Sequence, residues 1–163
     1  MPYGVYLHSK FKGGCQAKGH EDSVEVLSVS HSMMLPVAVS QSREAGLSAG
    51  DPVHAPITVT YELCSASPKF EEALNTGEHV DKVEIHFDKP GGDALTFHKI
   101  TLEDVVISKH ALSANSKGNE MAPVYAMDLT YNKISNETKT MDKSGKAKGT
   151  VASSYSQSMV AKA

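Results

Sequence analysis

Cysteine, tryptophan and net charge are all scarce in this chain, and each scarcity excludes a class of protein. Two cysteines, Cys15 and Cys64, in 163 residues are too few for a disulfide framework and indicate reduced thiols. Tryptophan is absent, and aromatic residues make up only 6% of the chain. The net charge of −3 provides no basic field that would attract nucleic acid or an anionic membrane, so we expect neither as a partner.

Long hydrophobic runs are also missing. No segment reaches the roughly 20 apolar residues of a membrane-spanning helix, and the residues after Met1 lack the basic and apolar regions of a signal peptide. We therefore expect no membrane insertion and no cleaved signal. A length of 163 residues with 40% hydrophobic content predicts a single globular domain over residues 1–163.

The motifs of common enzyme sites do not occur in the sequence. There is no His-Glu-x-x-His, no pair of Cys-x-x-Cys motifs and no Gly-x-Ser-x-Gly nucleophile turn. Ser144-Gly145-Lys146 resembles the end of a phosphate loop, but Thr140 stands where the first glycine would be. We therefore predict no catalytic residue, no resident metal and no cofactor, and expect that the protein is not an enzyme.

Eight histidines leave one chemical alternative open, a metal-binding protein or metal-dependent hydrolase. Its candidate ligands are His20, Glu21, His86 and His98. His20-Glu21-Asp22 offers three ligands in a row, but neighbouring side chains of an extended chain point to opposite sides and do not converge. His86 and Asp88 share a predicted strand face and could pair with His98 across a hairpin. Hydrogen-bonded or solvated imidazoles are the simpler interpretation.

Alternation of apolar and polar residues with a period of two dominates the chain and predicts β-strands. Ile57–Leu63 and Val83–Phe87 show it most clearly. The alternation changes phase after Val26, which indicates a bulge or a strand buried on both faces. Turn signals at Pro90-Gly91-Gly92-Asp93 and at Lys143-Ser144-Gly145-Lys146 separate the later strands.

One helix interrupts this pattern, over about residues 67–76. Ser67 is the expected N-cap, Pro68 fits the first helical position, and Gly77 fits a left-handed C-cap. Phe70, Ala73 and Leu74 share one face. We expect this face to plug one opening of a small barrel or to cover a sheet edge.

The long connection over residues 32–56 is predicted to be an extended apolar loop. It begins with Met33 and Met34, and Leu35, Val37 and Val39 then alternate as in a strand. On a monomer such an arm would be an exposed apolar strand edge prone to association, so we expect it to lie against another subunit. The alternative is a strand that folds back on its own sheet. The candidate interface residues are Leu35, Val37, Val39, Arg43, Glu44 and Leu47.

Four sequence blocks, taken in order, resemble the haemolysin-coregulated protein (Hcp) family, the tail-tube protein of the bacterial type VI secretion system. The blocks span nearly the whole chain. They are Lys18-Gly19-His20-Glu21-Asp22 with Glu25-Val26-Leu27-Ser28, Ala66–Phe70 with Thr76–His79, Gly91-Gly92 with Ile100–Ser108, and Asp142–Gly149.

The resemblance implies a mainly β fold, a small antiparallel β-barrel of two packed sheets with one short flanking helix and a long extended loop. It further implies a structural subunit that closes head-to-tail into hexameric rings, which stack into a tube that carries effectors. The implied partners are further copies of the chain, the spike, the sheath and effector proteins. The protein would be made in the bacterial cytoplasm and then secreted, and the loop at 32–56 would join stacked rings.

Overall fold

A computed structural model of the chain describes residues 3–39, 46–90, 95–116 and 122–157. Within these ranges it contains one helix, α1 (Ser67–Thr76), and eleven strands. The strands are β1 (Gly4–His8), β2 (Val24–Ser30), β3 (Met33–Met34), β4 (Val37–Val39), β5 (Leu47–Ala49), β6 (Val53–His54), β7 (Ile57–Glu62), β8 (Val80–Asp88), β9 (Thr96–Ser113), β10 (Val124–Met141) and β11 (Ala147–Ser156).

Six of the strands close into an antiparallel barrel. Their order is β10-β7-β2-β1-β8-β9, and pairing of β9 with β10 closes the ring. The second half of β10 also pairs with β11, from Lys133 with Ser156 to Met141 with Ala147. The predicted mainly β barrel with one helix is confirmed.

The period-two pattern explains which residues face the barrel interior. In β7, Ile57, Val59 and Tyr61 are buried, while Thr58 and Thr60 alternate with them. The phase change after Val26 is a bulge, because the pairing of β2 with β7 shifts register between Val26 and Ser28. Leu27 lies at the bulge and is 51% exposed. Val26 before it and Val29 after it therefore both pack toward the core.

Helix α1 packs its apolar face on the barrel. Phe70 is buried and makes edge contacts with Tyr61 and Phe11, and Gly77 ends the helix in the left-handed conformation with φ 64°. The predicted N-cap is wrong by one residue. The N-cap is Ala66, which lacks a capping side chain, while the hydroxyl of Ser67 accepts a hydrogen bond from the backbone N–H of Cys64.

Two predicted turns have different outcomes. Residues 91–93 of the turn predicted at Pro90-Gly91-Gly92-Asp93 lie outside the described ranges, although β8 and β9 on either side are antiparallel neighbours as expected. The turn at 143–146 is confirmed, since Asp142 Oδ1 accepts backbone hydrogen bonds from Ser144 and Lys146 and Gly145 has φ 83°. No helix in the described ranges is long and apolar enough to cross a membrane.

Candidate functional site

The arm between β2 and β7 is a β-hairpin, not the predicted extended loop. Strand β3 pairs with β6 and β4 pairs with β5, in two small ladders separate from the barrel sheet. The backbone N–H of Gly50 donates to the carbonyl of Pro36 at 2.8 Å, which links the two ladders. The alternative of a strand returned to its own barrel sheet is therefore wrong for the described part of the arm.

One face of this hairpin is apolar and open to solvent. Val37 lies opposite Ala49 and Val39 lies opposite Leu47, and paired residues of a ladder share a face. Val37, Val39 and Leu47 are 49%, 73% and 75% exposed. Ala38 and Ser48 form the intervening pair and point to the opposite face. The outer part of the arm thus presents aliphatic side chains on one side and small ones on the other.

The predicted interface residues are only partly gathered on this face. Val37, Val39 and Leu47 lie together, and Leu35 is also exposed in the segment between β3 and β4. Arg43 and Glu44 fall outside the residues that the structure describes. The sequence-based set omitted the inner ladder, whose exposed apolar residues are Met33, Met34 and Val53. Their apolar character was visible in the sequence, but the pairing that groups them was not.

The base of the arm is tied to the barrel by a small aromatic network. The hydroxyl of Tyr131 on β10 lies 2.7 Å from His31 Nε2 and 2.8 Å from His54 Nδ1, and the ring of His54 stacks on Tyr155. Burial raises the pKa of Tyr131 to about 12. Burial also lowers the pKa of His31, and the nearby His54 lowers it further.

Only two of the four predicted metal ligands come together. His20 and His86 are close, with ring centroids 5.5 Å apart. Glu21 is exposed and accepts a hydrogen bond from the backbone N–H of Gly19. His98 pairs across the sheet with Phe87 and hydrogen-bonds Thr138. His20 is buried whereas its neighbour Glu21 is exposed, which confirms the expected divergence of the two side chains.

A different histidine cluster forms on the barrel wall from His8, His20 and His86. A ring nitrogen from each lies within 4.8 Å of the others. Strands β1 and β8 are antiparallel neighbours and supply His8 and His86. The loop between β1 and β2 supplies His20, which stacks on the ring of Tyr6 at 4.1 Å between centroids. His8 was missed from the sequence because its proximity to His86 depends on strand pairing.

A tight turn carries His20 onto the barrel wall. Gly19 has φ 84° and Asp22 has φ 63°, and the backbone N–H of Gly13 donates to the carbonyl of Asp22 at 2.8 Å. The hydroxyl of Ser23 donates to the carbonyl of His20. The glycine-rich sequence before β2 thus serves to fold the loop back over its own sheet.

Carboxylates surround this cluster. His20 Nε2 hydrogen-bonds Asp88 Oδ2, and Glu84 Oε2 lies 3.0 Å from His86 Nε2. Burial raises the pKa of Glu84, but hydrogen bonds from Lys82 and His86 outweigh burial and bring it to about 2. Burial lowers the pKa of His8, and the neighbouring His86 and His20 lower it further.

Comparison with known proteins agrees with the barrel and its helix. The chain matches the family described as "Type VI secretion system effector, Hcp" over residues 6–137. The "Major exported protein" of Pseudomonas aeruginosa is 33% identical over 97 residues, which cover 58% of this chain and 54%, about half, of that relative.

Solved structures share the whole fold. One described as "Structure of a type six secretion system protein" superposes with a TM-score of 0.89 at 23% identity, covering 96% of this chain and 97% of the other. Hcp1 from Salmonella typhimurium superposes with a TM-score of 0.74 at 20% identity, covering 98% and 97%. The family match spans most of the barrel, including most of β1, the helix and most of β10. The chain therefore belongs to the Hcp family of type VI secretion proteins.

Proposed function

We propose that this chain is the structural subunit of a type VI secretion tube. Six copies close head-to-tail into a ring, rings stack into a tube, and the tube carries effector proteins and is exported with them. The observation that carries this proposal is the solvent-exposed apolar face of the arm hairpin, on a barrel of the Hcp family. Exposed aliphatic side chains concentrated on one projecting element are typical of a surface that another chain covers.

A closed ring also needs two different surfaces on each subunit, because a head-to-tail contact joins unlike patches. Strand β11 provides a candidate for one of them. It pairs with β10 on one side only within the described part of the chain, and Val151 on it is 64% exposed. An open strand edge can pair with another chain. We assign ring contacts to the surface around β11, beside the barrel, and ring-to-ring contacts to the arm.

The proposal includes the predicted partners and route. These are further copies of the chain, the spike and sheath proteins and the effectors, with assembly in the cytoplasm before export. The exported relative from Pseudomonas aeruginosa supports the final step. The hydrolase alternative is not favoured, because Glu21 and His98 of its ligand set do not belong to the cluster that His20 and His86 form with His8.

Size-exclusion chromatography with light scattering tests the ring. We expect a species of about six times the 17.4 kDa chain mass that persists on dilution to micromolar concentrations. Substitution of Arg43 and Glu44 should leave the mass of this species unchanged if the arm joins rings rather than subunits within a ring. A chain that remains monomeric across the whole concentration range would contradict the proposal.

A further inference from the structure

The histidine cluster on the outer wall of the barrel has the arrangement of a metal site. His8 and Tyr6 share one face of β1, opposite to the buried Val5 and Leu7. His86 lies on the neighbouring strand, and the loop over this wall brings in His20, which is 5% exposed. Three imidazoles from three separate parts of the chain thus each bring a ring nitrogen within 4.8 Å of the other two.

The proton on each ring can be assigned from its partners. The Asp88 carboxylate only accepts hydrogen bonds, so His20 donates to it from Nε2 and keeps a lone pair on Nδ1. His8 Nε2 lies 2.7 Å from that Nδ1 and donates to it. The Glu84 carboxylate accepts from His86 Nε2, which leaves the lone pair of His86 on Nδ1. His20 and His86 therefore each have a carboxylate on Nε2 and carry their lone pair on Nδ1, the atom that would bind an ion.

This carboxylate–histidine pairing is the usual surrounding of a metal-bound imidazole, because the carboxylate fixes the tautomer and orients the ring. We propose that His8, His20 and His86 bind one divalent ion of the zinc class, with Asp88 as the positioning residue for His20. Three neutral imidazoles suit zinc and its late first-row neighbours rather than calcium or magnesium, which prefer oxygen ligands.

Binding requires one small rearrangement at His8. Its ring proton moves from Nε2 to Nδ1, so that Nε2 offers a lone pair to the ion in place of its hydrogen bond to His20. Nitrogen ligands at about 2.0–2.1 Å from a tetrahedral zinc are about 3.3 Å apart, so the 2.7 Å separation of His8 and His20 opens slightly. His8 and His86 are only partly buried, which leaves a fourth position for water or a side chain from another molecule.

A bound ion would fasten the loop between β1 and β2 to the barrel wall. The loop carries His20, whereas His8 and His86 belong to the sheet, so an ion bound to all three cross-links elements that are distant in sequence. Ligands that bind only the folded state raise its stability. The proposal does not depend on ring formation, which the same samples report separately by their size.

The test uses the full chain without an affinity tag, stripped of metal with a chelator and dialysed. Isothermal titration with Zn²⁺ should show one ion per chain, and Zn²⁺ should raise the thermal unfolding midpoint. Co²⁺ in its place should give the visible absorption of a low-coordinate site with nitrogen ligands. His8→Gln and His86→Gln should each weaken zinc binding at least tenfold, and Asp88→Asn should weaken it by about 10–100-fold.

His98→Gln is the matched control, because His98 is another partly buried histidine at the barrel surface that hydrogen-bonds Thr138 and does not belong to the cluster. This variant should bind zinc like the parent chain. Circular dichroism checks that each variant is folded. If one of the two ligand variants, at His8 or at His86, does not fold, the other provides the test. The proposal is overturned if the parent chain binds no zinc at 100-fold excess, or if both ligand variants bind it unchanged.

Discussion

Val39→Asp tests the role of the arm most sharply. Val39 is 73% exposed in the single chain, so the substitution removes no core contact and should leave the barrel folded. It places a charge on the apolar face of the hairpin, where we expect it to prevent ring stacking. Ser48→Asp is the matched control, because Ser48 pairs with Ala38 on the opposite face of the same two-stranded ladder.

The size of the effect follows from the exposed area of Val39 and the symmetry of the ring. Full burial of a valine side chain is worth about 1.5–3 kcal/mol, so burying the exposed three-quarters of Val39 contributes about 1–2 kcal/mol per copy. A six-membered ring repeats this contact six times. The loss then reaches at least about 6 kcal/mol per pair of rings, or about 10⁴-fold in affinity. Burying an unpaired carboxylate increases the loss.

The assay is sedimentation velocity with negative-stain imaging, at protein and polyethylene glycol concentrations where the parent rings stack. Val39→Asp should yield single rings under these conditions, whereas Ser48→Asp should stack like the parent protein. Both variants should have the circular dichroism spectrum and unfolding midpoint of the parent. Stacking by Val39→Asp at parental concentrations, or equal disruption by Ser48→Asp, would refute the assignment of the apolar arm face.

Two further predictions concern the fold and the base of the arm. Phe70→Ala removes the buried ring that joins the helix to Tyr61, and should lower the free energy of unfolding in urea by about 3–5 kcal/mol; a loss below about 1 kcal/mol would show that the helix is not anchored there. The folded-state pKa of His31 lies below its ordinary 6.5, so the unfolded chain binds protons more readily and stability should fall as pH drops below 6.5. Urea melts from pH 8 to pH 5 measure this slope, and His31→Gln should make it shallower; an unchanged slope would contradict the network around Tyr131.

Local patterns were enough to predict most strands and the helix. The alternation in Ile57–Leu63 needs only the two faces of a half-buried strand, and Gly77 needs only the positive φ that ends a helix. The bulge after Val26 was visible as a change of phase. Each of these features is decided by residues close in sequence, which is why the sequence alone could indicate it.

Features that depend on strand pairing could not be predicted. His8 and His86 are 78 residues apart in sequence, and only the antiparallel register of β1 and β8 brings them close. The hairpin of the arm was missed because Leu47-Ser48-Ala49 has too few apolar residues to mark a strand. The N-cap was misplaced because the hydroxyl of Ser67 accepts from Cys64 before the helix and does not cap its first turn.

Negative-stain electron microscopy of the purified protein tests the central claim, that this chain is an assembly subunit, most directly. We predict six-membered rings in end-on views and stacked rings in side views at higher concentration, with a particle mass of about six times 17.4 kDa. Particles no larger than one barrel at every concentration, without rings, would contradict the account.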